Sequence, residues 1–301
     1  MTLKKLSLIQ IRTLHYIVFH KNTKKNLKIK DVRPFHYVRT SPWPIITSLS
    51  IIIILITSIE ATLTRNFNTN WVVTSTALTL AVIFMWWRDI TRESNSGQHR
   101  IRTTKSIRMR IMLFITSEVC FFFGFFWSFF WVAFEHKIGS SIQWPPSGIL
   151  AFNPYRVPLL NRRILLTSGV TVTWSHKMIY YNNHKEALYG IIITVILGVI
   201  FTIFQLYEYN RRFFSISDSV YGALFFMITG FHGIHVLVGT VMLIYRIKRI
   251  IVGQINSKHH NNAEFAIWYW HFVDIVWLML YLWVYWWHYY FDILYRIFYC
   301  K

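Results

Sequence analysis

A carboxylate stands inside a long apolar stretch of the sequence. Glu118 lies within Ile115-Thr-Ser-Glu-Val-Cys and is followed by an aromatic run from Phe121 to Trp131. An ionised carboxylate that faces lipid costs roughly 3 kcal/mol, so this side chain must face protein or water, or carry a proton. Two interpretations stay open: a site of proton exchange or subunit contact, and a neutral acid that is hydrogen-bonded to a neighbouring helix.

Histidines and a second carboxylate recur at helical spacing further along the chain. His232 and His235 are three residues apart, as are His271 and Asp274, so each pair shares one helix face. Facing helices could assemble three imidazoles and a carboxylate, which would resemble a haem or metal site. We favour interhelical hydrogen bonds instead, because polar side chains within helix bundles commonly satisfy one another.

Tryptophan and arginine cluster in the segment Trp86-Trp-Arg-Asp-Ile-Thr-Arg-Glu, which includes Trp87, Arg92 and Glu93, with His99 close behind. Indole rings prefer the membrane interface, and guanidinium groups bind phosphate through paired hydrogen bonds. The segment therefore fits a phospholipid site, or an ordinary aromatic belt with basic flanks. The sequence contains no phosphate-binding glycine loop or nucleophile elbow, and its two cysteines, Cys120 and Cys300, predict neither a zinc site nor a disulfide.

Composition places these residues in a membrane. The 301 residues are 54% hydrophobic and 15% charged, against about 25% charged in soluble domains. Seven apolar stretches reach the length of roughly 20 residues that a transmembrane helix needs. We predict an all-α integral membrane protein whose helices cover about 43–62, 70–87, 111–134, 164–182, 187–207, 220–245 and 265–288.

The basic residues follow the predicted spans. Of the 32 Lys and Arg residues, 23 fall in the N-terminal tail and in alternate loops, and 9 fall on the other side. Basic residues accumulate on the side that is not translocated, so the N-terminus is expected there. The net charge of +20 is thus assigned to topology and lipid attraction, and no nucleic-acid partner is expected.

Two extensions flank the predicted membrane domain of residues 41–290. Residues 1–40 hold ten Lys or Arg and one acid, Asp31, which suits a transit peptide or a segment at an anionic membrane face. Residues 291–301 form a short C-terminal extension. No secretory signal and no intervening soluble domain are expected.

Nine motifs, in order, resemble the cytochrome c oxidase subunit III family. They extend over most of the chain and are Ser41-Pro-Trp-Pro; Trp86-Trp-Arg-Asp with Arg92-Glu-Ser; Ser117-Glu-Val with Gly124-Phe-Phe-Trp; Trp144-Pro-Pro-Ser-Gly-Ile; Asn153-Pro with Val157-Pro-Leu-Leu-Asn; Ser168-Gly-Val-Thr-Val-Thr-Trp-Ser-His; Ile216-Ser-Asp-Ser-Val-Tyr-Gly; Gly230-Phe-His-Gly-Ile-His; and Trp268-Tyr-Trp-His-Phe-Val-Asp.

This resemblance implies a non-catalytic core subunit of the terminal oxidase, complex IV, in the mitochondrial inner membrane. The N-terminus would face the matrix and the C-terminus the intermembrane space. Helices one and two would form one bundle and helices three to seven another, separated by a V-shaped cleft that holds phospholipids. The subunit would bind no cofactor itself, pack against subunit I and sustain proton uptake there. Haem a, haem a3 and copper would belong to the partner subunits.

The family's site residues carry over onto this sequence. The resemblance implies lipid binding by Trp87, Arg92, Glu93 and His99, with Arg249 contributing from the loop between helices six and seven. Glu118 corresponds to the intramembrane carboxylate, with a proton or subunit-contact role, and the histidine set becomes structural. Structural phospholipids, with cardiolipin as a candidate, are the expected ligands. Two alternatives remain: the homologous subunit of a quinol oxidase, and a cytochrome that binds haem through His232, His235 and His271.

Overall fold

The computed structural model describes residues 40–63, 69–96, 101–135, 149, 152–254, 261–290 and 293. Within these residues, all regular secondary structure is helical. The helices are α1 (Trp43–Leu63), α2 (Thr69–Asn95), α3 (Ile101–Glu135), α4 (Val157–Tyr180), α5 (His184–Asn210), α6 (Val220–Ile251) and α7 (Asn261–Leu280), and α7 continues directly into a π-helix over Tyr281–Trp287. Apart from residues 40 and 293, the two predicted extensions lie outside the described residues.

Six of these helices are long and apolar enough to cross a membrane. The candidate spans are Trp43–Ala61, Asn70–Asn95, Arg102–Phe134, His184–Asn210, Val220–Ile251 and Glu264–Tyr290. Helix α4 is absent from this group although it has 24 residues, because it carries Arg162, Arg163 and Lys177 and several hydroxyl side chains. The prediction of helices in seven places is confirmed for the described residues, whereas seven membrane spans remain a prediction.

Several helices extend beyond the predicted apolar stretches. Helix α2 continues to Asn95, and α3 begins at Ile101, so most of the predicted loop after residue 87 is helical. Arg and Lys are good helix formers and do not end a helix on leaving the hydrocarbon. Helix α6 likewise continues to Ile251. The placement of Arg249 in a loop was therefore wrong, since this residue lies in the last turn of α6.

Local chemistry fixes several helix ends. Pro158 occupies the first turn of α4, where its missing N–H costs no hydrogen bond. The Asn183 side chain caps α5 by accepting from the Glu186 N–H at 3.5 Å, and the Ser219 hydroxyl caps α6 by accepting from the Gly222 N–H at 3.0 Å. These caps satisfy amide groups that have no partner within the helix.

The chain divides into two compact units, residues 1–104 and 105–301. In the first unit, α1 and α2 pack through a seam of small residues. The seam's buried members are Thr47, Ser50, Ala61, Ser75, Thr79 and Val82. Across the seam, the hydroxyl groups of Thr57 and Ser75 lie 3.2 Å apart in a hydrogen bond. Small residues let helix backbones approach closely, which is the usual basis of helix association in lipid.

The second unit has an aromatic core. Trp270 and Trp277 of α7 are almost fully buried. A side-chain carbon added at Gly198 of α5 or Gly239 of α6 would lie 2.7 or 2.9 Å from the Trp270 ring, so both helices need glycine beside this indole. The Trp270 Nε1–H also donates to the Ser168 Oγ of α4 at 2.9 Å. Trp270 thus joins α4, α5 and α6 to α7.

Candidate functional site

The predicted lipid-binding residues of α2 lie at its C-terminal end. The Trp87 side chain is exposed, and the Arg92 side chain is 70% exposed, whereas Glu93 is half-buried. One helix end thus presents an indole and a guanidinium group together. Such an arrangement can place the ring among acyl chains and the cation beside a lipid phosphate.

Asp89 organises this end of the first unit, and sequence reasoning missed its role. The Trp43 indole N–H of α1 donates to Asp89 Oδ2 at 2.8 Å, and Arg88 Nε donates to Asp89 Oδ1 at 3.2 Å. Arg92 Nη1 lies 3.7 Å from the same Oδ1. One carboxylate thus contacts two guanidinium groups and holds both cations at this helix end. The signal in the sequence was the acid within Trp86-Trp-Arg-Asp.

The other two predicted lipid-binding residues, His99 and Arg249, are not part of the group of residues just described. His99 lies outside the described residues. Arg249 belongs to the second unit, where its half-buried side chain has an Nε that finds no hydrogen-bond partner among the described residues. Three residues earlier on α6, Arg246 is buried, and within the same described part its three nitrogen atoms also have no partner. The grouping of all five lipid residues therefore stays a prediction.

Glu118 of α3 pairs with His235 of α6. Glu118 Oε2 lies 2.9 Å from His235 Nε2, and His235 Nδ1 lies 2.6 Å from the Phe231 carbonyl oxygen. A carbonyl oxygen only accepts, so Nδ1 must carry a hydrogen and donate it. The contact between Nε2 and the carboxyl then needs one further proton, which either group can hold. The pair is uncharged overall in both arrangements, which lowers the cost of burying it.

Aromatic rings surround this pair. The centroid of the His235 ring lies 5.1 Å from that of Phe122, 6.1 Å from Phe272 and 6.2 Å from Tyr269. These rings come from α3 and α7, and they leave the Glu118 and His235 side chains 22% and 12% exposed. Sequence reasoning found both residues but treated them as members of different sites, because 117 positions separate them.

The four predicted polar residues of α6 and α7 do not form one cluster. Buried His232 directs Nε2 to the Val273 carbonyl oxygen of α7 at 3.2 Å, so this nitrogen is the donor. Its ring packs against Trp277 and Phe201 at centroid distances of 5.1 and 5.6 Å. His232 therefore joins α6 to α7, whereas His235 joins α6 to α3. Each histidine makes a separate interhelical contact.

His271 and Asp274 lie against α4. The Thr173 hydroxyl and His271 Nε2 are 3.2 Å apart, and His271 Nδ1 is 3.8 Å from Asp274 Oδ2. A side-chain carbon added at Gly169 would lie 2.7 Å from the same Oδ2, so α4 passes Asp274 closely because it has a glycine there. Among the described residues, Asp274 Oδ1 is buried and has no hydrogen-bond partner.

A buried polar group near the other end of the second unit escaped sequence reasoning. Asn161 of α4, Gln205 and Glu208 of α5 and Tyr285 of the π-helix are all buried. Asn161 Nδ2 donates to Gln205 Oε1 at 3.5 Å, while neither Glu208 oxygen has a hydrogen-bond partner within the described part of the chain. Gln205 and Glu208 share a helix face at a spacing of three, which was the available signal. The predicted apolar stretch of residues 187–207 ends one residue before Glu208.

Metal-binding geometry is not formed by the residues that the structure describes. Among them, no three or more His, Cys, Asp or Glu side chains come together in a way that could hold an ion. The proposed haem ligands His232 and His235 instead point to Val273 and Glu118.

These features define a polytopic helical membrane protein with interhelical polar pairs inside an aromatic bundle. The family model of cytochrome c oxidase subunit III matches residues 33–289, and the chain belongs to this family. It is 46% identical over 252 residues to cytochrome c oxidase subunit 3 of Heterololigo bleekeri, which covers 82% of this chain and 95% of that protein.

Two further relatives support the same family. The cytochrome c oxidase subunit 3 of Drosophila melanogaster is 44% identical over 252 residues, and that of Patiria pectinifera is 45% identical over 253 residues. Each match covers 83% of this chain and 95% of the relative. The resemblance identified from nine motifs is thereby confirmed at the level of the family.

Proposed function

We propose that this chain is a non-catalytic subunit of cytochrome c oxidase, complex IV, that stabilises subunit I, binds phospholipid and sustains proton uptake. The match to the subunit III family over residues 33–289 carries this proposal. The chain contributes to an oxidoreductase that transfers electrons from cytochrome c to oxygen. Haem a, haem a3 and copper are held by the partner subunits.

The location follows from the same relatives and from the apolar helices. A multi-pass protein of the mitochondrial inner membrane fits both the animal relatives and the candidate spans. We place the N-terminus in the matrix and the C-terminus in the intermembrane space. The accumulation of 23 of the 32 basic residues on one side supports this orientation.

Purification in mild detergent tests membership of the complex. The chain should co-migrate with haem and copper and contribute neither. A Soret band in a preparation of the chain alone would contradict the proposal and favour a cytochrome. Oxidation of quinol instead of cytochrome c by the complex would favour the quinol oxidase alternative, although the matched relatives are named as cytochrome c oxidase subunits.

Phospholipid binding is assigned to the end of α2, with Trp87, Arg92, Glu93 and His99, and to Arg249 on α6. The exposed guanidinium of Arg92 supports an anionic lipid, of which cardiolipin is one candidate. Replacement of Arg92 by Ala should lower the phosphorus content per haem of the purified complex. Arg110→Ala, at an exposed position of α3, is the matched control. Unchanged lipid content in Arg92→Ala would contradict this site.

Glu118 and His235 are proposed to support proton uptake by the complex. Their shared proton supports this role, because it can reside on either group without creating net charge. In Glu118→Gln, the amide can still donate to His235 Nε2, so assembly and the initial rate should remain close to normal. The amide cannot exchange a proton at physiological pH, so the active lifetime during turnover should shorten.

The exposed residue Glu186 at the start of α5 provides a control for this substitution. Glu186→Gln makes the same chemical change without touching the pair and should leave the active lifetime unchanged. An equal lifetime for Glu118→Gln and the unmodified complex would exclude the proposed role of the pair.

A further inference from the structure

Four buried polar side chains form a group in the second unit, near the end of α5. They are Asn161 of α4, Gln205 and Glu208 of α5 and Tyr285 of the π-helix, and each is at most 6% exposed. Among the described residues, five of their atoms have no hydrogen-bond partner: Asn161 Oδ1, Gln205 Nε2, both Glu208 carboxyl oxygens and the Tyr285 hydroxyl oxygen. Buried polar atoms in proteins are nearly always hydrogen-bonded. The group therefore requires a further hydrogen-bonding partner.

The four side chains are close neighbours. Asn161 Nδ2 donates to Gln205 Oε1 at 3.5 Å, so these two amide groups lie side by side. The Tyr285 hydroxyl faces Gln205 and Glu208, yet it makes no direct hydrogen bond with either of them within the described part of the chain. Polar groups that face one another without direct contact are typically bridged by water.

The helix geometry at Tyr285 is a second, independent indication of a bound molecule. Tyr285 lies in the π-helix Tyr281–Trp287, which directly follows α7. In a π-helix, hydrogen bonds connect residues five apart, so the turn is wider than in an α-helix, and such turns are rare outside functional sites. Inserted side chains and water molecules are among the known causes of irregular helix geometry.

Glu208 has no counter-charge among the described residues, since its oxygens find no partner there. The next arginines along the chain contact aromatic rings instead. The Arg211 guanidinium lies 5.6 Å from the centroid of the Tyr207 ring, and that of Arg212 lies 5.3 Å from the centroid of the Phe226 ring. A buried carboxylate without a cation is strongly unfavourable, so Glu208 is expected to carry a proton.

The bound molecule must be small and must both donate and accept hydrogen bonds. The five atoms are inaccessible from outside the protein, so neither a lipid head group nor a side chain of another subunit can reach them. Asn161 Oδ1 needs a donor, whereas Gln205 Nε2 needs an acceptor. A metal cation would bind only the acceptors. Water meets both needs and typically makes about three hydrogen bonds inside proteins.

We propose that these four side chains enclose a structural water molecule and that Glu208 is protonated beside it. The water donates to Asn161 Oδ1 and to one Glu208 oxygen, and it accepts from Gln205 Nε2 and from the Tyr285 hydroxyl. The other Glu208 oxygen carries the proton and donates it to the Tyr285 oxygen. All five atoms then have a partner, and the water joins α4, α5 and the π-helix. The site is formed by this chain alone, so the inference does not depend on the proposed function.

A density map of the protein in its purified complex tests the identity of the bound molecule, at a resolution that shows other buried waters. A peak should lie about 2.7–3.2 Å from polar atoms of at least three of the four side chains. A peak with oxygen ligands at about 2.3–2.6 Å would identify a metal cation such as Ca²⁺. That result, the absence of a peak, or a direct contact of Tyr285 with Glu208 that leaves no room for water would overturn the proposal.

Substitution of Glu208 tests its protonation. Glu208→Gln is uncharged, and its amide both donates and accepts, so the chain should be lost from the heated complex at nearly the unmodified rate. Glu208→Leu leaves the water and the Tyr285 hydroxyl without partners and should accelerate this loss roughly tenfold, the effect of one unsatisfied buried polar group. Equal acceleration by both variants would indicate an ionised carboxylate and contradict the proposal, as would an unchanged rate in Glu208→Leu.

The matched control is Glu186→Leu, which makes the same change at an exposed position near the start of the same helix. It should alter the rate of loss much less than Glu208→Leu does. Equal effects at the two positions would show that the rate reports on α5 as a whole, and they would contradict a specific contribution from the buried site.

Discussion

The two units of the chain solve the problem of helix packing in lipid in different ways. In the first unit, α1 and α2 meet through small residues such as Ser50, Ala61 and Ser75, and their large apolar side chains point outward. In the second unit, large aromatic side chains such as Trp270 fill the space between helices, and glycines make room for them. Close backbone approach stabilises the first unit, whereas volume filling and the hydrogen bond of the Trp270 indole stabilise the second.

Replacement of Trp270, whose indole lies at the centre of the second unit, should distinguish the two kinds of helix packing most strongly. Trp270→Ala leaves a cavity beside Gly198 and Gly239 and removes the hydrogen bond to Ser168. We expect the free energy of unfolding of the second unit to fall by about 3–5 kcal/mol. Thermal loss of the chain from the purified complex measures this effect. Trp131→Ala, at a position 56% exposed, should change it little, and an equal loss would contradict an aromatic core.

The hydroxyl pair of the first unit should contribute far less. Thr57→Ala and Ser75→Ala remove the two sides of the 3.2 Å contact between α1 and α2. A double-mutant cycle on the association of the helices in detergent should give a coupling energy of about 0.6 kcal/mol, the average for such pairs in membranes. A coupling as large as the Trp270 effect would mean that polar contacts, and not close approach, hold this unit together.

The smallest expected effect concerns the stability of the connection between α5 and α6, which belongs to neither of the two kinds of helix packing. Hydrogen bonds from the Ser215 hydroxyl and then its N–H, each 2.6 Å long, lower the pKa of Asp218. A lowered pKa stabilises the folded connection fully above the unfolded pKa, which is about 3.9. The contribution is lost as pH falls through the lower folded value. Proteolysis near residue 215 should increase at acid pH, and Asp218→Asn should remove most of that dependence.

Sequence reasoning located the helices more accurately than it identified which face of each helix packs against a neighbour. The predicted apolar stretches located a helix in seven places among the described residues, but hydropathy ended α2 near Arg88 because it reports solvation and not helix propensity. In the basic first part of α3, Arg108 forms an ion pair with α7, where its Nη2 lies 2.5 Å from Glu264 Oε2. That contact joins residues 156 positions apart, and no local pattern specifies it.

The same limit explains the candidate sites. Glu118 and His235 were both recognised because a polar side chain within an apolar stretch is conspicuous. Their pairing was not, since it depends on which faces of α3 and α6 meet. The unsatisfied Oδ1 of Asp274 was equally hidden from sequence reasoning, because whether an atom has a partner depends on how α4 and α7 pack. Residue types are visible in a sequence, whereas satisfied and unsatisfied atoms are defined by packing.

The single proton shared by Glu118 and His235 also determines how the pair responds to an electric field. A transmembrane voltage acts on net charge at about 2.3 kcal/mol per elementary charge per 100 mV across the full membrane. This pair has no net charge, and its proton can move by less than the 2.9 Å that separates the two heavy atoms. That distance is roughly a tenth of the hydrocarbon thickness, so 100 mV changes the energy of the transfer by at most about 0.2 kcal/mol. In the role proposed for the pair, the transfer of the proton between Glu118 and His235 is therefore nearly insensitive to the voltage across the membrane.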